Sequence, residues 1–211
     1  MESALRAGSD DPGLRLIETV LWDGAGCPRI EGHLARLAAS ARALGWPCDG
    51  AAARAALTAP QGVPARLRLT LDRAGRIAVT RAPLPPARGE WRLALAGASL
   101  ASDDPWLRLK TTRRQQYDDA RAAMPQGVDE LLFLNERGQV CEGTITTLFF
   151  DLGRGMRTPP LSCGLLPGVL RAAMLAQGLC REETLPAAEL PRARLWVGNA
   201  LRGLIPAVWT G

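Results

Sequence analysis

Two pairs of β-strands, each joined by a short turn that ends in glycine, most constrain the fold of this sequence. Residues 66–71 (RLRLTL) and 76–81 (RIAVTR) alternate apolar and polar side chains on either side of 72–75. A second such turn, 135–138, follows the apolar run 130–134. Alternation around a glycine-containing turn is typical of β-hairpins. These hairpins mix with helices without regular βαβ alternation, which predicts an α+β fold with two lobes.

The spacing of apolar residues predicts the other elements. Helices are predicted at 32–44, 51–57, 117–124 and 169–177, and further strands at 14–21, 91–96, 139–150 and 195–198. The proline-rich stretch 83–89 (PLPPARG) is typical of a linker. We therefore expect a small N-terminal α+β domain at 1–83, a linker at 84–89 and a larger C-terminal domain at 90–211.

Composition excludes several classes of protein. With 47% apolar residues and a net charge of +5, the 211 residues can form a core and are not expected to be disordered. No apolar run approaches the roughly 20 residues that span a bilayer, and residues 1–12 lack the apolar run of a signal peptide. The five cysteines form no C-x-x-C pair, so we expect neither a metal site nor a disulfide framework. These features predict a cytoplasmic protein without membrane association.

The chain has a single lysine, Lys110, among 26 basic residues. Base composition explains why an alanine- and arginine-rich sequence has few lysines, but it does not explain why this one is retained. Arginine replaces lysine at most surface sites, but it cannot replace an amine that must form a covalent bond. Schiff-base formation with a carbonyl compound is the chemistry that requires lysine. Lys110 is therefore a candidate catalytic residue, and a solvated basic loop is the alternative.

Three other features could carry chemistry. Glu142 lies in a mostly apolar strand, where its carboxylate needs a partner: either an arginine or the protonated nitrogen of a pyridine ring. Residues 165–171 (LLPGVLR) lead into a helix whose first amides suit a phosphate. Arg36, one helical turn after His33, could clamp a phosphate or lie exposed without a specific role, and His33 is expected to be structural. The arginines are scattered along the chain, so we expect small anionic ligands and no nucleic acid.

Five segments in this order resemble the class IV, or fold-type IV, pyridoxal-phosphate enzymes. They are IETVLWDG with EGHLARLAASARALG, LKTTRRQQYDDAR, DELLFLNERGQVCEGTITTLFF, TPPL with GLLPGVLR, and WVGNALRGLIPA. The family includes branched-chain and D-amino-acid aminotransferases and aminodeoxychorismate lyases. The resemblance implies the two-lobed D-amino-acid aminotransferase fold with a shortened N-terminal domain. It also implies that the C-terminal domain binds pyridoxal 5′-phosphate.

The resemblance implies roles for individual residues. Lys110 matches the lysine that bonds to the cofactor and then moves protons. Glu142 matches the partner of the pyridine nitrogen, and Arg36 matches the phosphate-binding arginine. Further cofactor contacts are implied for Val169, Leu170, Asn199, Ala200 and, at the ring hydroxyl, Tyr117, and substrate contacts for Thr19 and Arg68.

Within the family, the blocks KTTR and NALRGLIP are most similar to aminodeoxychorismate lyases. We therefore predict a lyase that converts a small anionic amine, 4-amino-4-deoxychorismate, into 4-aminobenzoate and pyruvate for folate synthesis. The resemblance also implies a homodimer. A class IV aminotransferase acting on branched-chain or D-amino acids is one alternative. A catalytically degenerate anion-binding protein is another, because Thr147 stands where the family usually has asparagine and the first strand begins close to residue 14.

Overall fold

A computed structural model describes Leu5 and residues 8–87 and 89–211. The chain divides into two compact units. The first contains the chain up to Pro86 together with Arg108–Arg113, and the second contains Ala87–Leu107 and Arg114–Gly211. None of the helices in the described part of the chain is long and apolar enough to cross a bilayer.

The first unit is built on a three-stranded antiparallel sheet in the order β1-β2-β3. Its strands are β1 (Leu16–Trp22), β2 (Ala65–Leu71) and β3 (Ile77–Ala82), and the helices that the structure describes in full are α1 (Ile30–Leu44) and α2 (Gly50–Ala56). The leucines at alternate positions of β2 are buried, while the arginines between them are exposed. Helix α1 packs against β1. The predicted hairpin at 66–81 is therefore confirmed, with one apolar face in the core.

The segment 108–113 extends this sheet at the edge formed by β1. Thr111 forms an antiparallel bridge with Leu16, and the amide of Ile17 donates to the carbonyl of Lys110 at 2.8 Å. The division of the sequence at the linker 84–89 assigns this segment to the C-terminal domain. Its backbone instead pairs with the first unit, because β1 offers an unpaired edge to an extended chain.

The second unit contains an eight-stranded mixed sheet in the order β6-β5-β4-β11-β10-β7-β8-β9. Its strands are β4 (Trp91–Leu100), β5 (Glu130–Asn135), β6 (Val140–Gly143), β7 (Thr147–Asp151), β8 (Arg157–Thr158), β9 (Arg181–Glu182), β10 (Arg194–Asn199) and β11 (Gly203–Trp209). Its helices are α3 (Gln115–Ala122) and α4 (Val169–Ala176). Strands β5 and β7 are apolar between their polar end residues and are buried along nearly their full length, so they contribute to the core. Local hairpins combined with these helices confirm the predicted α+β class.

The prediction of one continuous strand at 139–150 is wrong, because the structure has two strands there. The structure ends β6 at Gly143 and begins β7 at Thr147, with a turn between them. The amide of Gly143 donates to the carbonyl of Thr146 at 2.8 Å across this turn. The intervening residues are β-branched and favour strands, so the local sequence does not indicate a turn.

Candidate functional site

Lys110 lies beside β1, on a face of the first unit that it shares with two other predicted site residues. Because Thr111 bridges Leu16, the register puts Lys110 opposite Ile17. Strand alternation then puts Lys110 on the same face as Thr19. Arg68 pairs directly with Thr19 across β1 and β2 and shares that face. Lys110 and Thr19 are half-buried, and Arg68 is exposed.

The charge on this face is positive. The only acid in β1, β2 and β3 is Glu18, and strand alternation puts it on the opposite face, together with the buried leucines. Arg66 shares the face of Arg68, two positions away on the same strand. The face carrying Lys110 therefore combines an amine, a hydroxyl and guanidinium groups, which suits an anionic ligand.

Arg36 projects from α1 to a buried carboxylate. Its Nε and Nη2 donate to the two oxygens of Glu18 at 2.8 and 2.6 Å. The ring Nδ1 of His33 lies 2.6 Å from the same carboxylate. Burial by itself would raise the pKa of Glu18, but the Arg36 guanidinium and the His33 hydrogen bond outweigh it and lower the pKa. His33 is thus the structural residue that the sequence predicted, and Arg36 is held in one orientation.

In the second unit, the partners described for Glu142 include two hydrogen-bond donors. It is 7% exposed; its Oε1 accepts from the Tyr117 hydroxyl at 2.7 Å and its Oε2 accepts from the Leu166 amide at 3.2 Å. Burial, and then the charge of Glu142, raise the pKa of Tyr117 far above its ordinary value, so the phenol keeps its proton and donates it. That Tyr117 contacts the ring hydroxyl of the cofactor stays a prediction, since in the structure its proton goes to Glu142.

Helix α4 begins at Val169 and Leu170, as predicted. Among the described residues, no side chain caps its N-terminus, which starts after Gly168. A Cβ at Gly168 would lie 2.7 Å from Thr147 Oγ1, so only glycine allows the chain to pass so close to β7. The first amides of this helix carry the positive end of its dipole and suit a phosphate.

Asn199 and Ala200 form the turn at the end of β10. The Asn199 side chain accepts from the amides of Leu201 and Arg202 at 3.1 and 3.0 Å, and it donates to the Ile145 carbonyl at 3.2 Å. Ala200 is buried. A Cβ at Gly198 would lie 2.8 Å from Leu170 Cδ2, so the end of β10 packs against the first turn of α4. The second unit thus brings its predicted cofactor residues together around the turn 143–146.

Sequence reasoning missed two buried carboxylates, Glu18 and Glu130. Glu18 binds Arg36, and Glu130 accepts hydrogen bonds from the turn that follows Glu142. Both lie in apolar strand segments, LIETVLW and ELLFLN. The same signal, an acid within an apolar run, singled out Glu142 and could have identified both.

These groups fit pyridoxal 5′-phosphate. The cofactor has an aldehyde that requires an amine, a basic ring nitrogen that requires an anion, and a phosphate that requires N–H donors. Within the first unit, Lys110 offers the amine, and Arg36 binds Glu18 on the opposite side of the sheet. Within the second unit, Glu142 offers the anion and the uncapped first turn of α4 offers N–H donors. The tight approach at Gly168 is the kind of glycine-dependent geometry that a backbone phosphate site needs.

Comparison with known proteins identifies the family. The family model for amino-transferase class IV matches residues 15–208. A Schizosaccharomyces pombe protein provisionally named an aminodeoxychorismate lyase is 31% identical over 176 residues, which are 80% of this chain and 76% of that protein. The crystal structure of a Mesorhizobium loti protein, provisionally named an amino-acid aminotransferase, is 43% identical with a TM-score of 0.86, covering 93% of this chain and 100% of that one.

A second similar solved structure contains bound ligands. It is a hypothetical aminotransferase from Mycobacterium tuberculosis with α-ketoglutarate and PMP bound, 25% identical with a TM-score of 0.79, covering 96% of this chain and 83% of that one. The chain belongs to the class IV aminotransferase family and is an enzyme of fold-type IV that uses pyridoxal 5′-phosphate, either as a lyase or as an aminotransferase.

Proposed function

We propose that this enzyme is a 4-amino-4-deoxychorismate lyase, which releases 4-aminobenzoate and pyruvate. The observation that carries the proposal is the positive face of the first unit, where Lys110, Thr19 and Arg68 lie together and the only acid of the sheet lies on the opposite face. A substrate with two carboxylates is attracted by such a face. The similarity to the fission-yeast protein gives independent support.

When bound, the cofactor supplies an electron sink for the carbon that bears the substrate nitrogen. We propose that Lys110 Nζ would hold the cofactor covalently through its aldehyde, and that the same nitrogen, when free, would accept the proton from the carbon that bears the substrate nitrogen. Glu142 keeps a positive charge on the ring nitrogen, and the Tyr117 hydroxyl and Leu166 amide keep its carboxylate in place. Breaking of the bond between the ring carbon and the enolpyruvyl oxygen would release enolpyruvate, which becomes pyruvate by taking up a proton equivalent to the one removed from the ring, and the ring would become aromatic.

The remaining predicted residues bind the phosphate or the substrate. The amides of Val169 and Leu170 suit the phosphate. The family resemblance gives Arg36 a phosphate-binding role as well, and in the structure its Nε and Nη2 donate to Glu18. Asn199 and Ala200 form the turn that supports this end of the site. Thr19 and Arg68 bind the anionic substrate.

The experiment that tests the proposal follows two products in parallel. Purified enzyme is loaded with pyridoxal phosphate and given 4-amino-4-deoxychorismate, and 4-aminobenzoate and keto acids are both measured. We expect 4-aminobenzoate from the wild type and from Arg73→Ala, a control for exposed arginines, and none from Lys110→Ala. A Lys110→Ala enzyme that still forms a borohydride-reducible adduct with the cofactor would refute the assignment of this lysine.

An aminotransferase is the second candidate, favoured by the 43% identity to the Mesorhizobium loti protein. The same lysine serves that reaction by returning the proton to the cofactor instead of completing an elimination. Keto-acid formation from branched-chain or D-amino acids, without 4-aminobenzoate from the lyase substrate, would decide for it.

We also propose that the enzyme is a cytoplasmic homodimer, as the family resemblance implies. Sedimentation of the loaded enzyme at several concentrations tests this assembly. A single species with the mass of one chain at all concentrations would exclude the homodimer.

A further inference from the structure

The turn 143–146, which directly follows Glu142, is held by a carboxylate that the proposed mechanism does not use. Glu130 is the first residue of β5 and is fully buried. Its oxygens accept from the amides of Thr144 and Ile145 at 3.1 and 3.2 Å and from the Thr146 hydroxyl at 2.8 Å. The Thr144 hydroxyl donates to it as well. Every residue of the turn after Gly143 therefore donates to this one side chain.

The carboxylate also lies against the backbone next to Glu142. A Cβ at Gly143 would lie 2.8 Å from the Glu130 carboxyl carbon and 2.4 Å from Thr146 Oγ1. No larger residue fits there without moving one of them. The position of Glu130 thus limits how the backbone leaves Glu142.

The same turn contacts other parts of the second unit. The Ile145 carbonyl accepts from Asn199 Nδ2, and the Thr144 carbonyl accepts from Arg114 Nη2 at 3.1 Å. Immediately after the turn, Thr147 lies against Gly168 at the start of α4. The turn therefore connects Glu142 with Asn199 and with the first turn of α4.

The chemistry at this position requires a carboxylate. Both oxygens of Glu130 face N–H or O–H donors, and Arg121 Nη1 lies 3.6 Å from Oε1. A glutamine of the same shape would turn an NH₂ group toward at least one of these donors and leave both groups without an acceptor. Buried polar groups without partners are costly, so the turn would move to relieve the mismatch.

We propose that Glu130 is a positioning residue for the cofactor: by holding the turn 143–146, it holds the Glu142 carboxylate and the start of α4 in the arrangement that binds pyridoxal phosphate. This inference rests on the proposed role of Glu142 as the partner of the ring nitrogen.

The test compares Glu130→Gln with Thr146→Val, which removes one donor to Glu130, and with Asn135→Ala. Asn135 lies at the other end of β5, is buried and holds the hairpin turn through bonds to Gln139 and the Cys163 carbonyl. Asn135→Ala therefore shows how the loss of buried hydrogen bonds elsewhere on β5 affects the protein when the turn 143–146 is unchanged. Three quantities are measured: cofactor affinity by fluorescence titration of the apo-protein, the pH dependence of the bound cofactor's absorption, and amide hydrogen exchange at 143–147 without cofactor.

We expect Glu130→Gln to weaken cofactor binding by about tenfold or more, the change that corresponds to one buried hydrogen bond. It should shift the absorption in the same direction as Glu142→Gln and speed exchange at 143–147. Thr146→Val should do the same to a smaller degree. Asn135→Ala should lower the unfolding temperature but leave affinity and absorption as in the wild type.

Wild-type affinity and absorption in both Glu130→Gln and Thr146→Val, when Glu142→Gln alters them, would overturn the positioning role alone. If Glu130→Gln does not fold, Thr146→Val decides by the same readouts. If Glu142→Gln itself keeps the wild-type absorption, the proposed role of Glu142 fails, and this inference fails with it.

Discussion

Glu18 in the first unit and Glu130 in the second are both buried carboxylates, but they are surrounded by different groups. Glu18 is bound by the cation Arg36 and by the ring of His33. Glu130 is bound mainly by amides and hydroxyls of one turn, with Arg121 at 3.6 Å. The first arrangement balances a charge with another charge, whereas the second balances it with the dipoles of a particular backbone conformation. Glu18 thus orients a side chain, whereas Glu130 fixes the conformation of a turn.

The largest expected effect is that of Glu18→Gln. The amide cannot neutralise Arg36, so a guanidinium whose side chain is only 10% exposed loses its counter-charge. Breaking one side of a buried ion pair costs about 3–5 kcal/mol of unfolding free energy. Urea denaturation of the apo-protein measures it. The control is Glu31→Gln, on the helix α1 that also carries Arg36. The ion pair of Glu31 with Arg54 is exposed and should contribute at most about 1 kcal/mol to the unfolding free energy. Equal losses in the two variants would contradict the distinction.

Glu130→Gln should destabilise the second unit less. The substitution leaves donors of the turn 143–146 without an acceptor, but it does not leave a buried cation without a counter-charge, because Arg121 is partly exposed. An unsatisfied buried polar group costs about 1–3 kcal/mol of unfolding free energy. The same urea titration measures the loss. A loss as large as that of Glu18→Gln would mean that Glu130 stabilises the fold mainly through its ion pair with Arg121 and not through its hydrogen bonds with the turn.

Tyr117→Phe tests how much the hydrogen bond from the Tyr117 hydroxyl to the Glu142 carboxylate stabilises the fold. The substitution keeps the ring against Phe133, at 5.1 Å between centroids, but removes the hydroxyl bond to a charged group. We expect a loss of about 1.5 kcal/mol. In a Glu142→Gln background the further loss should be smaller, because the two residues are coupled. Additive losses in the double variant would show that the hydrogen bond contributes no stability.

The smallest expected effect is a loss of unfolding free energy at acidic pH. The pKa of Glu18 is lowered from its ordinary value of 4.5, so its ionised form stabilises the fold above that pH. This stabilisation is lost as the pH falls from there through the folded-state pKa. We expect the unfolding free energy of the wild type to fall as the pH is lowered below about 4.5. Glu18→Gln should lack this part of the acid dependence. Identical pH profiles of unfolding free energy in the two proteins would contradict it.

The positions of helices and strands could largely be predicted from the sequence. The hairpins around 72–75 and 135–138 and the helices at 30–44 and 169–176 agree with the predicted elements to within a few residues. Periodicity and turn chemistry are local properties, so they can be read without the tertiary structure. The turn at 143–146 could not be predicted in this way. Its threonines and isoleucine favour a strand, and the acceptor that bends the chain there is Glu130, in another strand.

For the candidate site, the sequence supplied candidates. A single lysine, an acid in an apolar strand and a glycine before a helix indicated Lys110, Glu142 and the start of α4, and the family resemblance implied their roles, which stay predictions. The contacts of 108–113 with β1, of Arg36 with Glu18 and of Glu130 with the turn after Glu142 became visible only in the folded chain. The physical reason is that these contacts join segments far apart in the chain. Each exists because an edge strand or a buried charge must find a partner, and the partner that folding brings within reach is not encoded in the residues beside it.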